Sequence, residues 1–319
     1  MVSVFLLLFM LGSGIFLFYQ KEGNRGDYLG KTPLCQMFAF TDKGLLYKDD
    51  ILIKDMYEFK GLYLRECETS EEEEIVISDS YYGSANLKGE CVYFVDYSYN
   101  IRRFFLEERE TDILVKSNGY VISDMLLLND DIFYLQGVDD RVTNLNVCHL
   151  ATGKTELVLE DVSPFYLYYY HGSIAVASSD GTELMICDAQ GRLTDTYPYY
   201  EGTILGFLDD GSVILSQEDK IVKADGFDDE EGEVLFQDEG LSRVIMKEDE
   251  MIISTVSSHG LIQLFQYDFG DNTYEKLANA NHMPRDFNED YVACCADDGM
   301  GSVDLVDRHT GKIIMFSLK

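Results

Sequence analysis

The chain contains no tryptophan and only 4 prolines in 319 residues. Basic residues are scarce as well, with 25 lysines and arginines against 58 aspartates and glutamates, a formal net charge of −33. A field of that sign repels phosphate backbones, which argues against nucleic acid and favours cationic partners or plain solubility. The 7 cysteines (Cys35, Cys67, Cys91, Cys148, Cys187, Cys294 and Cys295) are odd in number and show no CxxC spacing. Both a disulfide framework and a zinc site are thereby disfavoured. Most of these cysteines sit in apolar runs, where the residue behaves as a small hydrophobe. On a strand, Cys294 and Cys295 would face opposite sides, which speaks against a redox pair. Also missing are helical periodicity of useful length after the first thirty residues, a phosphate-cradling glycine loop, HExxH, and a Ser-His-Asp arrangement.

What is present begins with VSVFLLLFMLGSGIFLFY, Val2 to Tyr19, a run of 18 residues without a charge. Its length fits a short membrane span better than a signal-peptide core. Residues 1–19 are therefore expected to form a hydrophobic helix, a signal anchor or signal peptide, with uncleaved anchoring preferred. Residues 20–35, polar and glycine-containing, read as a tether. Lys21, Arg25 and Lys31 follow the apolar run, and the positive-inside rule would keep the remainder cytoplasmic. Large domains translocate despite that bias, and the expectation is a cell-membrane protein with an extracytoplasmic body.

The body is read from its spacing. A polar turn followed at once by an apolar strand occurs as KDD-ILI at Asp50, KGE-CVYFV at Glu90, NDD-IFYL at Asp131 and HGS-IAVA at Ser173. It returns as DGS-VIL at Ser212, EDE-MII at Glu250 and NED-YVACCA at Asp290. Successive separations are 40, 41, 42, 39, 38 and 40 residues. A period this regular marks a repeat architecture. Within one unit, VISDMLLL, DIFYLQG, TNLNVCHL and KTELVLE give four strand candidates, the content of a propeller blade. The predicted fold is all-β: a seven-bladed β-propeller of four-stranded antiparallel blades over residues 36–319, preceded by the N-terminal hydrophobic helix. Two consecutive sandwiches are the rival, but they do not require the period. The last unit ends on its own outer strand, so no shared closing strand is evident, and whether residues 33–40 add one is left open.

Two units carry LNVCHLATGKTELVL and VDLVDRHTGKIIMFSL, a strand followed by a turn of His or Asp and then Thr-Gly-Lys. This is similar to the repeats of TolB-like, quinoprotein-like and lipoprotein-receptor-like bacterial propellers. The resemblance spans the whole repeat region and implies the fold, but no reaction. Without tryptophan there is no tryptophan-docking motif, Trp-Asp dipeptide or YWTD signature, and kelch double glycines are absent.

If blade strands are lettered A to D from the centre outward, A–B and C–D turns share one face, and B–C turns and D–A connections share the other. The first face collects Asp49, Asp50, Asp130, Asp131, Asp209, Asp210, Glu248, Asp249 and Glu250, with the runs Glu71–Glu74 and Asp228–Glu231. It reads as a solvated repulsive surface, or as a docking face for a basic partner or divalent cations. The second face gathers Asp96, Asp139, Asp140, Asp180, Asp297 and Asp298 from B–C turns, and Tyr81, Tyr82, Tyr120, Tyr199 and Tyr200 from D–A connections. Such a mixture suits a glycan or other small molecule, a cationic peptide or an amine, although aspartate is common in turns for its own sake. DDGMGSVD, from Asp297 to Asp304, faintly resembles a calcium loop, so Ca²⁺ is a candidate ligand; no cofactor is required. His259 and His282 fall on this face in adjacent units and, with Asp297, form the candidate metal or acid–base group. The expected function is a membrane-anchored, exported, non-enzymatic binding or protein-interaction module. The competing class is a propeller lyase or hydrolase using carboxylates and the two histidines at this mouth.

Overall fold

The computed structural model describes residues 27–29, 38–41, 44–53, 56–65, 74–78, 81–138, 142–198, 203–208, 210–225, 232–247, 250–295 and 302–317. Side chains are described at Ile77 and from Ser84 onward, except at 166, 203, 302 and 315–317 within those ranges. The N-terminal helix lies outside the described residues. Among those described, no helix is long and apolar enough to cross a membrane.

Among the described residues every element is a strand. After β1 (Asp27–Leu29) come β2 (Phe38–Thr41), β3 (Gly44–Ile53), β4 (Met56–Arg65) and β5 (Glu74–Ser78), which form one antiparallel sheet. A second sheet contains β6 (Tyr81–Lys88), β7 (Cys91–Asp96), β8 (Ile101–Phe105) and β9 (Glu110–Val115). Seven strands follow as one sheet: β10 (Ile122–Leu128), β11 (Asp131–Gly137), β12 (Thr143–His149), β13 (Lys154–Tyr170), β14 (Ser173–Ser178), β15 (Glu183–Cys187) and β16 (Leu193–Pro198). The long β13 joins two four-stranded halves, pairing β12 through its first part and β14 through its last, with Val162 opposite both Thr143 and Ser178. Three more four-stranded sheets complete the chain. They are β17 (Thr203–Phe207) to β20 (Glu233–Gln237), with β18 (Val213–Gln217) and β19 (Lys220–Ala224) between; β21 (Leu241–Lys247), β22 (Glu250–Val256), β23 (Ile262–Asp268) and β24 (Thr273–Ala280); and β25 (Met283–Phe287), β26 (Tyr291–Cys295), β27 (Ser302–Asp307) and β28 (Ile313–Ser317).

Burial falls from the inside of each sheet outward. The second strands are buried almost throughout, as in β7, β22 and β26, whereas β16 and β24 are largely exposed. A strand covered on both faces needs apolar residues at successive positions, which is why CVYFV, IFYL and YVACC run without alternation. The cores lie between sheets. Tyr93, Val95 and Ile101 pack with Met125, Leu127, Ile132 and Tyr134 of the next sheet, and Ile252, Leu264 and Ala280 pack with Phe287, Val292, Cys294 and Val306.

The first strands repeat one device. Their pairing with the second strand slips between Ile122 and Asp124, Ile204 and Gly206, Leu241 and Arg243, and Pro284 and Asp286. Such a bulge frees backbone groups from the ladder and turns side chains toward the neighbouring sheet. Ser84 Oγ accepts from Met125 N–H at 2.9 Å, Asn86 Oδ1 from Leu127 N–H at 3.1 Å, and Asp124 Oδ2 from Leu167 N–H at 3.1 Å. First strands also lie against one another in succession: β6 on β10, β10 on β13, β13 on β17, β17 on β21, β21 on β25, and β25 on β2.

One expectation is corrected. Asp49 and Asp50 are not a hairpin turn: both lie inside β3, opposite Gly61 and Phe59, at a bulge that lets the strand run on through them. Of the segment 33–40, whose role in closure the sequence left open, residues 38–40 are described and belong to β2, the first strand of a sheet, while 33–37 lie outside the described residues. The segment read as tether instead contributes β1, which pairs antiparallel with β6 through Asp27–Leu87, Tyr28–Asn86 and Leu29–Ala85.

Asp124→Ala would leave the Leu167 N–H buried without its acceptor, at an expected cost of about 1–3 kcal/mol. Asp124→Asn keeps an acceptor oxygen and should recover part of that loss. Urea midpoints at unchanged m-value read both variants, and an alanine variant as stable as wild type would remove this bond from the account.

Candidate functional site

The B–C/D–A face is built largely from turns that satisfy themselves. Asp96, at the end of β7, is 3% exposed. Its Oδ1 accepts from the Ser98 and Asn100 backbone N–H groups at 2.8 and 2.9 Å, and Oδ2 accepts from Arg102 Nε. Burial works against the carboxylate, but the hydrogen bonds from Arg102 and Asn100 outweigh it and hold its pKa below the ordinary value. Asn100 in turn accepts from Ser117 N–H, and Ser117 Oγ donates to the Ser98 carbonyl, tying this turn to the connection that leads to Tyr120. Tyr120 itself is 47% exposed.

Asp180 performs the same task with an exposed side chain. It accepts from Ser178 Oγ, Thr182 N–H and Thr182 Oγ1, and these bonds lower its pKa. Tyr81 and Tyr82 fall within β6 rather than in the connection before it. Asp139, Asp140, Tyr199, Tyr200, Asp297 and Asp298 lie outside the described residues.

His259 is exposed in the turn that Gly260 and Leu261 close onto Ser257. No contact among the described residues joins it to His282. The partner of His282 is one that spacing did not reveal: Asp304, whose Oδ2 lies 3.3 Å from His282 Nδ1. Asp304 sits on β27 opposite Cys294 and is 1% exposed. Asn281 Nδ2 donates to the same Oδ2 at 3.1 Å, while Oδ1 is buried without a hydrogen-bond partner. The sequence marked Asp304 only as the end of the calcium-like stretch DDGMGSVD, but the residue lies on a strand, in the apolar run SVDLVD, rather than in a loop. Among the described residues no group of three or more His, Cys, Asp or Glu side chains could hold a metal ion. The buried thiols offer no nucleophile either: burial pushes Cys187 up to about 11 and Cys148 and Cys294 upward as well.

The opposite face carries ion pairs between sheets. Both Glu250 carboxylate oxygens accept from Arg308 Nη2 at 2.9 Å, and Lys247 Nζ lies 2.7 Å from Asp286 Oδ1. Both cations stack over the Phe287 ring, at 5.2 Å for Arg308 and 5.6 Å for Lys247. At the rim, Val234, Leu235, Tyr267 and Tyr274 line an open recess of roughly 380 Å³ between β20 and β24.

No family model matches the chain, and no curated protein matches it. Solved structures do. Oligogalacturonate lyase from Vibrio parahaemolyticus is similar with a TM-score of 0.57 at 14% identity, covering 89% of this chain and 90% of that one. Virginiamycin B lyase from Staphylococcus aureus gives 0.52 at 9%, covering 75% and 85%. A puromycin-hydrolyzing peptidase from Mycobacterium tuberculosis gives 0.60 at 12% and covers 91% of this chain, which spans 56% of the peptidase. The fold is a β-propeller. Identities this low carry the architecture alone, and a propeller scaffold supports enzymes and binding proteins alike.

Because the folded pKa of Asp96 is depressed, its contribution to stability is full above the ordinary carboxylate value. It disappears as pH falls through the folded value. Asp96→Asn should cost about 1–2 kcal/mol at pH 7, with the gap to wild type closing in acid. Paired urea melts at neutral and acidic pH measure this; a gap that does not change with pH would refute the ionic origin.

Proposed function

We propose that the chain is a seven-bladed propeller tethered to the cell membrane by Val2–Tyr19 and exported, acting as a non-enzymatic binding module for a basic partner on its A–B/C–D face. Seven blades are supported by β13 serving two four-stranded halves of one sheet and by β25 lying against β2. Asp286 follows the bulge in β25 as Asp124 does in β10, and on this reading it latches the last blade to the first.

The observation that carries the binding reading is a set of turn carboxylates fixed as anions on one face. Asp210 accepts from Lys223 Nζ and Ser212 N–H, which hold its pKa far below the usual range. Asp307 accepts from Thr310 and His309 N–H and is lowered, chiefly by Thr310. Asp188, against the effect of burial, is lowered by hydrogen bonds from Arg192 and Gln190. Rigid turns with permanent charge suit recognition of a cationic surface and steer its approach. Proton transfer would call instead for a group poised near neutrality. A lyase or hydrolase at the opposite mouth is the competing reading, and His282 is the residue that favours it.

The test is binding of a decalysine peptide at several salt concentrations. Asp188→Asn/Asp210→Asn/Asp307→Asn retains the oxygens that cap the turns while removing three charges. The triple variant should bind roughly tenfold more weakly, with a shallower salt dependence; Asp180→Asn, on the other face, should bind as wild type does. Equal affinity of triple variant and wild type would defeat the proposal.

A further inference from the structure

A carboxylate in a propeller core is costly unless its oxygens are satisfied. Asp96 and Asp124 meet that condition with backbone N–H groups. Asp304 does not: one oxygen takes Asn281 and faces His282, and the other is buried without a donor. The imidazole is correspondingly oriented. His282 is 27% exposed in its side chain, yet its Nδ1 is buried 3.3 Å from Asp304 Oδ2, at ion-pair distance and without a hydrogen bond among the described residues, so the ring's exposure lies away from that nitrogen.

We propose that Asp304 locks His282 as the Nδ1–H tautomer and thereby presents Nε2 at the B–C/D–A mouth as a proton-accepting contact for a hydroxyl-bearing ligand. The reason is chemical: a carboxylate beside Nδ1 favours a proton on that nitrogen and leaves the free lone pair on the other. Asn281 fixes the carboxylate from its second side. A neutral hydroxyl donor is the matching class because the unprotonated nitrogen of a neutral imidazole accepts a single hydrogen bond. His282 is the contact residue and Asp304 its positioning residue. This site is on the face opposite the acidic docking surface proposed above, so either can fail without the other.

The experiment uses the full chain labelled with ¹⁵N and held at pH 8. Imidazole nitrogen shifts should report Nδ1–H for His282, with His259 as the exposed internal reference. Diethylpyrocarbonate, which acylates an unprotonated imidazole nitrogen, should modify His282 about tenfold faster in wild type than in Asp304→Asn, with His259 unchanged. As the hydroxyl probe, 4-fluorophenol should give a saturable ¹⁹F shift that is lost in His282→Gln. If Asp304→Asn does not fold, Asn281→Ala at the exposed end of the pair should shift tautomer and rate in the same direction. An Nε2–H tautomer in wild type, equal acylation rates in a folded positioning variant, or a phenol shift that survives His282→Gln would overturn the proposal.

Discussion

The structure depends on how the innermost strand of each sheet disposes of its free edge. One side of such a strand is laddered to its neighbour, and the other would present unpaired main-chain groups near the middle of the molecule. Leaving those groups buried without partners costs more than any single contact returns. The solution is lateral: Ser84 and Asn86 cap the edge of β10, and Asp124 caps that of β13. Around β6 the same role falls to the main chain of β1. At these junctions one sheet finishes the edge of the next.

The bulges in the first strands follow from that requirement. A strictly paired strand alternates its side chains between the two faces of its sheet and sends none sideways along the edge. One extra residue near Ser123, Leu205, Ser242 or Arg285 rotates the chain enough to do so. With the sheets stapled at their inner strands, the turns at both ends become rigid supports. Gly311 shows how tight they are, since its φ is +66° and a Cβ there would lie 2.7 Å from the Leu277 carbonyl. Charge held on such turns is preorganised, and the docking and imidazole sites proposed above both rely on that property.

Much of this was legible beforehand. Apolar runs such as YVACC marked strands, and turn residues recurring near every fortieth position marked the repeat. Asp96 and Asp180 were found as turn residues, but their hydrogen bonds to Ser98, Asn100 and Thr182 were invisible without coordinates. Asp49 and Asp50 misled because two adjacent acids look like a turn, whereas a bulge carried β3 through them. Asp304 was read as the end of a calcium-like loop, whereas it lies inside β27; its pairing with His282 escaped notice because that residue is 22 positions away in a different segment.

The sequence by itself determined the class of fold, the period of the repeat, and the sign of the field around it. These are local or additive properties: strand propensity, turn chemistry and summed charge need no knowledge of what meets what. Tertiary structure decided which side chains close the inner edges, that β1 belongs to β6, and that His282 faces Asp304 rather than His259. Those are pairings between segments far apart in the chain, and they are fixed only when stacked sheets bring particular edges and side chains within hydrogen-bonding distance.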